Sequence, residues 1–355
     1  MEISVQPDTI SNHPYHAYSR NESMSIETIS CIPKLPDPVS CSTEFARHLH
    51  DALVKVGAAY IPVAGLIEDS HLLSSLQSLF ALEEVQKRSI AKQLPSPWQG
   101  VYIALGEEQL ADGQEDYKEV FDINLENGTY AQWIERRQQS NGHTSTSTPV
   151  NVKDFLSNSE DLAKIIQSLC HIFKILQEQA NHVLAALETI YQQLPDSLVK
   201  QHGENSTLRL LHYPSASHLS LGTTRLGAHQ DYSGITLLWQ DSTGGLEILT
   251  PQQEWIGIDI PSGYIGIIAS ELMQQWSGET LQGAPHRVQI TNVQQAHMAR
   301  YSIAFFCETN HDCIVYPRAL IAGTNTSIEN AIAIKTFLSN KYDQILINLD
   351  LENRY

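Results

Sequence analysis

The sequence predicts an α+β protein: a β-rich core in the second half of the chain, packed by helices from the first half and the end. Three observations predict it. From about Thr207 to Tyr316 the chain consists of short apolar, β-branched runs punctuated by Gly, Pro, Ser and Asn. Many of those runs start about 8 to 15 residues apart, which is the rhythm of a sandwich, barrel or jelly roll. Upstream of them, apolar residues recur at helical spacing.

The elements follow in order. Residues 1–30 are polar with no clear period and read as an N-terminal extension. CIPKLP (31–36) looks like a short edge strand. TEFARHLHDALVKV (43–56) has helical periodicity, with Ser42 as N-cap and Gly57 as its terminator. AAYIPV reads as a strand, and a second helix runs from about Glu68 to Gln93. Pro95, Pro97 and Gly100 mark a loop, after which VYIAL and YKEVFDINL look extended. NGHTSTSTP (141–149) is a surface loop by composition, and two helical patterns fill about 152–194. The strand candidates are TLRLLHY, ITLLWQ, GLEIL, EWIGIDI, YIGIIAS, HRVQIT and RYSIAFFC, and the tail from about Ser327 to Asn348 is helical again. Four regions result: 1–30 extension, 31–195 mostly helical, 196–316 β core, 317–355 helical tail.

Composition excludes several roles. The 355 residues carry 22 Lys and Arg against 40 Asp and Glu, a formal net charge of −18. Such a surface repels phosphate backbones, so no nucleic-acid partner is expected. No apolar run is long enough for a membrane span, and the N-terminus is not a secretory signal. Five cysteines without a CxxC argue against a disulfide scaffold and for a reducing, cytoplasmic setting.

The chemistry concentrates in three places. In GAHQDYSGITLLWQ (227–240), His229 and Asp231 stand two apart, a spacing that aims both side chains to one side of an extended chain. Gln230 between them is expected to face away and to matter least. His286, in GAPHRVQI, supplies a third ligand; alone it would read as a satisfied strand-end histidine. Two His and one carboxylate leave one face of a metal open, the arrangement of non-haem Fe(II) oxygenases. The third place is Arg300-Tyr301-Ser302. A strand puts Arg300 and Ser302 on one face, and a buried arginine there calls for a carboxylate to pair with.

With these residues in view, the chain resembles the Fe(II)- and 2-oxoglutarate-dependent dioxygenases of the isopenicillin N synthase-like superfamily. LLHYP, GAHQDYSGITLLWQDSTGGLEIL, EWIGI, APHRV and RYSIAFF fall in family order. GVYIALGEEQLADGQEDYKEVFDI (100–123) resembles the microbial branch that includes ethylene-forming enzymes. The resemblance implies a double-stranded β-helix (jelly-roll, cupin-like) core flanked by helices. It implies Fe(II) on His229, Asp231 and His286, with 2-oxoglutarate held by Arg300 and Ser302 and aided by Tyr213. O2 is the co-oxidant, and ascorbate an auxiliary reductant. Leu211 departs from the family, standing where many plant members have asparagine, and IASELMQQW replaces a common NxGD run.

The expected reaction is hydroxylation, desaturation or cyclisation of a small secondary-metabolism substrate, with release of succinate and CO2. Candidate substrate contacts are Tyr102, Glu107, Glu108 and Phe305; a glutamate facing the iron would suit a cationic or amino-bearing molecule. The protein is expected to act as a monomer or weak homodimer. Two rival readings share the site: an oxidase that uses the iron without 2-oxoglutarate, and a non-catalytic 2-oxoglutarate sensor. A zinc hydrolase would also accept the ligand set, but no general base is evident beside a metal-bound water.

Overall fold

The computed structural model describes residues 32–38, 43–63, 69–109, 116–125, 160–192, 197–316, 331–344 and 346–347. The N-terminal extension, Ser42 and the 141–149 loop lie outside them. Helix α1 (Thr43–Lys55) buries Phe45, Leu49 and Leu53 along one face, as its periodicity predicts. Strand β1 (Ala58–Pro62) follows Gly57, whose φ of 85° is one that side-chain-bearing residues rarely adopt. The CIPKLP run is not a full strand: it makes one parallel bridge, Lys34 to Tyr60.

The helix expected over 68–93 is two helices, α2 (Asp69–Phe80) and α3 (Glu84–Lys92), with Glu83 and Gln86 forming a capping box at the restart. The Pro95–Gly100 loop is shorter than expected, because β2 (Trp98–Ile103) already contains Gly100. A side chain there would collide with the Ala91 backbone at 2.8 Å, so glycine lets β2 pack against α3. Next come β3 (Glu108–Gln109) and β4 (Glu119–Leu125). Within the described part of 152–194 there is one helix rather than two, α4 (Glu160–Ile190), 31 residues long.

The β core then follows: β5 (Thr207–Tyr213), β6 (Thr224–His229), β7 (Ile235–Gln240), β8 (Leu246–Leu249), β9 (Trp255–Gly257) and β10 (Tyr264–Ala269). Helix α5 (Glu271–Trp276), β11 (His286–Gln289), α6 (Val293–His297) and β12 (Arg300–Cys307) complete it. Beyond lie β13 (Ile314–Val315), β14 (Ile332–Ala333), α7 (Ile334–Gln344) and β15 (Leu346–Ile347).

Two antiparallel sheets face each other. The larger has the order β1-β10-β7-β12-β5-β4-β2, and the smaller β6-β11-β8-β9. The region 31–195 is therefore not only helical, since β1, β2 and β4 complete the larger sheet. Side-chain parity divides the interior. On β7, Ile235, Leu237 and Trp239 enter the core beneath α1 and α4, while Leu238 points to the space between the sheets. On β12, Ile303, Phe305 and Cys307 join the helix side, whereas Ala304 faces the other sheet. β7 and β12 stand at the centre of the larger sheet, and β12 carries Arg300 and Ser302.

Candidate active site

Between the sheets lies a cavity of about 130 Å³. His229 ends β6, and His286 opens β11 directly opposite it in register. Asp231 stands just past the strand end, so strand alternation is not what aims it. Its backbone carbonyl accepts from Glu271 N–H at 2.7 Å, and Thr236 Oγ1 donates to its Oδ2 at 2.6 Å. Those bonds turn Oδ1 inward, 3.6 Å from His229 Nε2 and 3.8 Å from His286 Nε2. One donor atom from each of the three side chains lies within 4.8 Å of the others.

Each ring is tied from behind. His229 Nδ1–H donates to Gly227 O at 2.9 Å, and His286 Nδ1–H to Ala284 O at 3.2 Å. A proton on Nδ1 leaves the Nε2 lone pair for a metal. Three donor atoms thus converge with their opposite atoms engaged, and the N2O set suits a first-row divalent metal. The electrostatics agree at two of the three ligands; at His229 burial would lower the ring's pKa, but the adjacent Asp231 outweighs it and raises it. Burial would raise the Asp231 carboxyl, but the facing His286 and His229 outweigh it and hold it well below the usual carboxylate range. Burial lowers His286, favouring the neutral form that ligates.

Arg300, 1% exposed, lies on the cavity wall. Its Nε donates to Gly244 O at 3.0 Å, Nη1 to Ser302 Oγ at 2.9 Å and Nη2 to Gln240 Oε1 at 2.8 Å. Its guanidinium lies 4.9 Å from the centre of the Tyr213 ring. Of five guanidinium N–H groups, one on each terminal nitrogen remains, a fork suited to a carboxylate. Gln240, not anticipated from the sequence, was findable by parity: it pairs with Ser302 in the ladder.

The substrate candidates separate. Glu108 lines the cavity, but Lys118 Nζ at 2.5 Å and Arg209 Nη1 at 3.0 Å already hold its carboxylate. Glu107 pairs with Arg88 at 2.5 Å and does not line the cavity. Tyr102 donates its hydroxyl to Glu119 on the far side of β2, also away from the cavity. Phe305 does not line the cavity: it is fully buried against Phe173, ring centres 5.1 Å apart. Phe306 shares the face of Arg300 and Ser302 and lines the cavity. Gln230 is a second correction, because it lines the cavity and bonds to Gly283 and Gln274.

A family model described as the 2OG-Fe(II) oxygenase superfamily matches residues 204–309. A second, described as the non-haem dioxygenase in morphine synthesis N-terminal region, matches 28–144. The chain belongs to the 2-oxoglutarate/Fe(II) oxygenase superfamily. As an oxygenase of this kind it is an oxidoreductase that requires Fe(II) and 2-oxoglutarate. It is 29% identical to a proline hydroxylase of Petromyces alliaceus over 320 residues, covering 82% of this chain and 90% of that one. It is 27% identical to a 2-oxoglutarate-dependent dioxygenase of Glarea lozoyensis, covering 74% and 79%. A full-length Neurospora crassa protein solved in complex with alpha-KG shares the fold, with a TM-score of 0.67 at 22% identity over 88% of this oxygenase and 96% of that chain. Among the described residues no helix is long and apolar enough to cross a membrane.

Proposed function

We propose that His229, Asp231 and His286 hold the Fe(II) of this oxygenase, and that Arg300, with Ser302 and Tyr213, holds the distal carboxylate of 2-oxoglutarate. The observation that carries the reading is the tying of both histidine Nδ1 atoms and of Asp231 Oδ2, which leaves three donor atoms free to meet one ion. Bound there, iron and 2-oxoglutarate supply the oxidation: O2 is consumed, the cosubstrate becomes succinate and CO2, and the substrate is oxidised.

The chain's own residues orient and shield. The unused N–H fork of Arg300 suits the distal carboxylate of 2-oxoglutarate; a carboxylate of an oxidase substrate would satisfy it too, so succinate stoichiometry separates the two readings. Leu211, Leu238, Ile268 and Phe306 keep the cavity apolar and exclude bulk water. That lining suits an aliphatic C–H bond of a compact molecule, and the proline hydroxylase relative makes a small cyclic amino acid the first substrate to test. We read the oxygenase as a cytoplasmic monomer or weak homodimer.

The test is Fe(II)-dependent succinate formation together with anaerobic metal titration. Asp231→Ala and His286→Ala are each expected to cut succinate formation and metal affinity by more than about 100-fold, beyond the usual cost of losing a supporting residue. Wild-type turnover by either variant overturns the ligand set. Product without stoichiometric succinate would favour the oxidase.

A further inference from the structure

The ladder pairs His229 with His286, but Asp231 and the approach to His286 come from two segments that the ladder does not hold. β6 ends at His229, so Gln230 and Asp231 lie outside the ladder. β11 begins at His286, so the Gly283–Pro285 approach also lies outside it. A neutral hydrogen-bonded junction joins the two segments beside the metal site. Gln230 Nε2 donates to Gly283 O at 2.8 Å and to Gln274 Oε1 at 3.1 Å. The same Gln274 oxygen accepts from Gly283 N–H at 2.8 Å. Gln274 belongs to α5, whose first residue, Glu271, holds the Asp231 carbonyl.

The orientation of the Gln230 amide is not arbitrary. Gly283 O can only accept, and Gln274 Oε1 is already fixed as an acceptor by the Gly283 N–H. Both partners therefore demand N–H groups, and Gln230 gives its two to them. The fit also requires glycine at 283: a Cβ would lie 2.0 Å from Gln230 Nε2 and 2.9 Å from Gln274 Oε1. One residue further, Ala284 O is the acceptor that orients the His286 ring, while Ala284 N–H is pinned to Ala269 O at 3.1 Å. Gly283 C=O and Ala284 N–H belong to one peptide plane, so Gln230 and Ala269 hold that plane from its two edges, next to the acceptor behind His286.

From this geometry we propose that Gln230 is a positioning residue: through Gly283 and Gln274 it sets where Asp231 and the approach to His286 stand relative to each other, and so the affinity and geometry of the metal. The inference rests on the ligand assignment above. It gives the residue between the two ligands a task that alternation along a strand would deny it. Gln274 is itself held from the other side, its Nε2 donating to the Glu279 carboxylate.

The test titrates the apoprotein and its variants anaerobically with Co(II), reading affinity by calorimetry and coordination by the visible spectrum. Gln230→Glu is nearly isosteric but sets carboxylate oxygens against two acceptors; Gln230→Ala removes the donors. Both are expected to bind Co(II) about 10- to 100-fold more weakly, the range for a supporting residue of a metal site, with an altered spectrum. The thermal midpoint of the apoprotein should stay near that of the wild type, with Glu as damaging as Ala. Wild-type affinity and spectrum in both variants, with binding lost in His286→Ala, overturn the inference and leave the ligand set standing. Wild-type binding by His286→Ala overturns the ligand set itself. A lowered apoprotein midpoint with unchanged Co(II) spectrum marks a merely structural role and also overturns the inference. If the Gln230 variants do not fold, Gln274→Ala breaks the same junction from α5. It should show the same spectral change, and a wild-type spectrum there overturns the proposal.

Discussion

Two polar regions share the cavity and differ in what they have left to offer. Around His229, Asp231, His286 and Arg300, hydrogen bonds to the scaffold engage the outward-facing atoms and leave inward-facing ones unused. Around Glu108 the opposite holds. Its two oxygens go to Lys118 and Arg209, and Arg209 closes a two-pronged pair with Asp122 at 2.9 Å through both Nε and Nη2. Burial would raise the Glu108 carboxyl, but Arg209 and Lys118 outweigh it and lower it to about 2. The lesson is that charge on a cavity wall does not make a recognition group. Unused hydrogen-bonding capacity does, and Glu108 has its charge balanced from within the fold.

The sharpest way to break this contrast is at Arg300. Arg300→Ala is expected to raise the KM for 2-oxoglutarate by about 100-fold or more, the cost of removing one partner of a buried charge pair. Arg300→Lys should recover only part of it, because an ammonium cannot present the fork. An unchanged KM in both would remove the anchoring role. At the other region the effect should fall on stability. Glu108→Ala removes one partner of Lys118 and Arg209, which keep Asp116 at 2.6 Å and Asp122 at 2.9 Å, and should destabilise the fold by about 1–3 kcal/mol, read by denaturant or thermal unfolding. Metal affinity measured on the folded protein should move little; a selective loss of metal binding would erase the contrast.

The last effect concerns a group outside both regions. His202 is buried between Leu198 O at 2.8 Å and the Thr309 hydroxyl at 2.9 Å, with no carboxylate partner among the described residues. Burial lowers its pKa from 6.5 to about 4. In the folded state it resists protonation that the unfolded chain accepts, so its contribution is complete above pH 6.5. That contribution is lost as pH falls toward 4, up to about 3 kcal/mol in all. Following the His202 ring by NMR against pH checks this: titration near 6.5 in the native protein would refute it.

Much of this was legible beforehand, for identifiable reasons. The α+β class followed from the change of period near Thr207, because burial on one helix face or one sheet face writes itself into the sequence. The cluster of His229, Asp231 and His286, and Arg300 with Ser302, could be picked out because metal and carboxylate chemistry demand particular side chains. The α2–α3 break was hidden, since Ala81 and Leu82 continue the apolar texture and only the Glu83–Gln86 capping box marks the restart. Phe305 was misassigned although the parity that pairs Arg300 with Ser302 selects Phe306. Gln230 was misjudged because strand alternation was extended one residue past the end of β6.

The sequence by itself determined the fold class, the residue types that could ligate a metal and the family, since these depend on local periodicity and on chemistry carried by single side chains. Only the tertiary structure decided which polar groups remain available. That His229 and His286 keep their Nε2 atoms free, that Glu108 is paired from within, and that Gln230 spans to Gly283 all depend on partners tens of residues away. Hydrogen-bonding capacity is taken up by whatever the fold brings within about 3 Å, and no stretch of sequence records that distance.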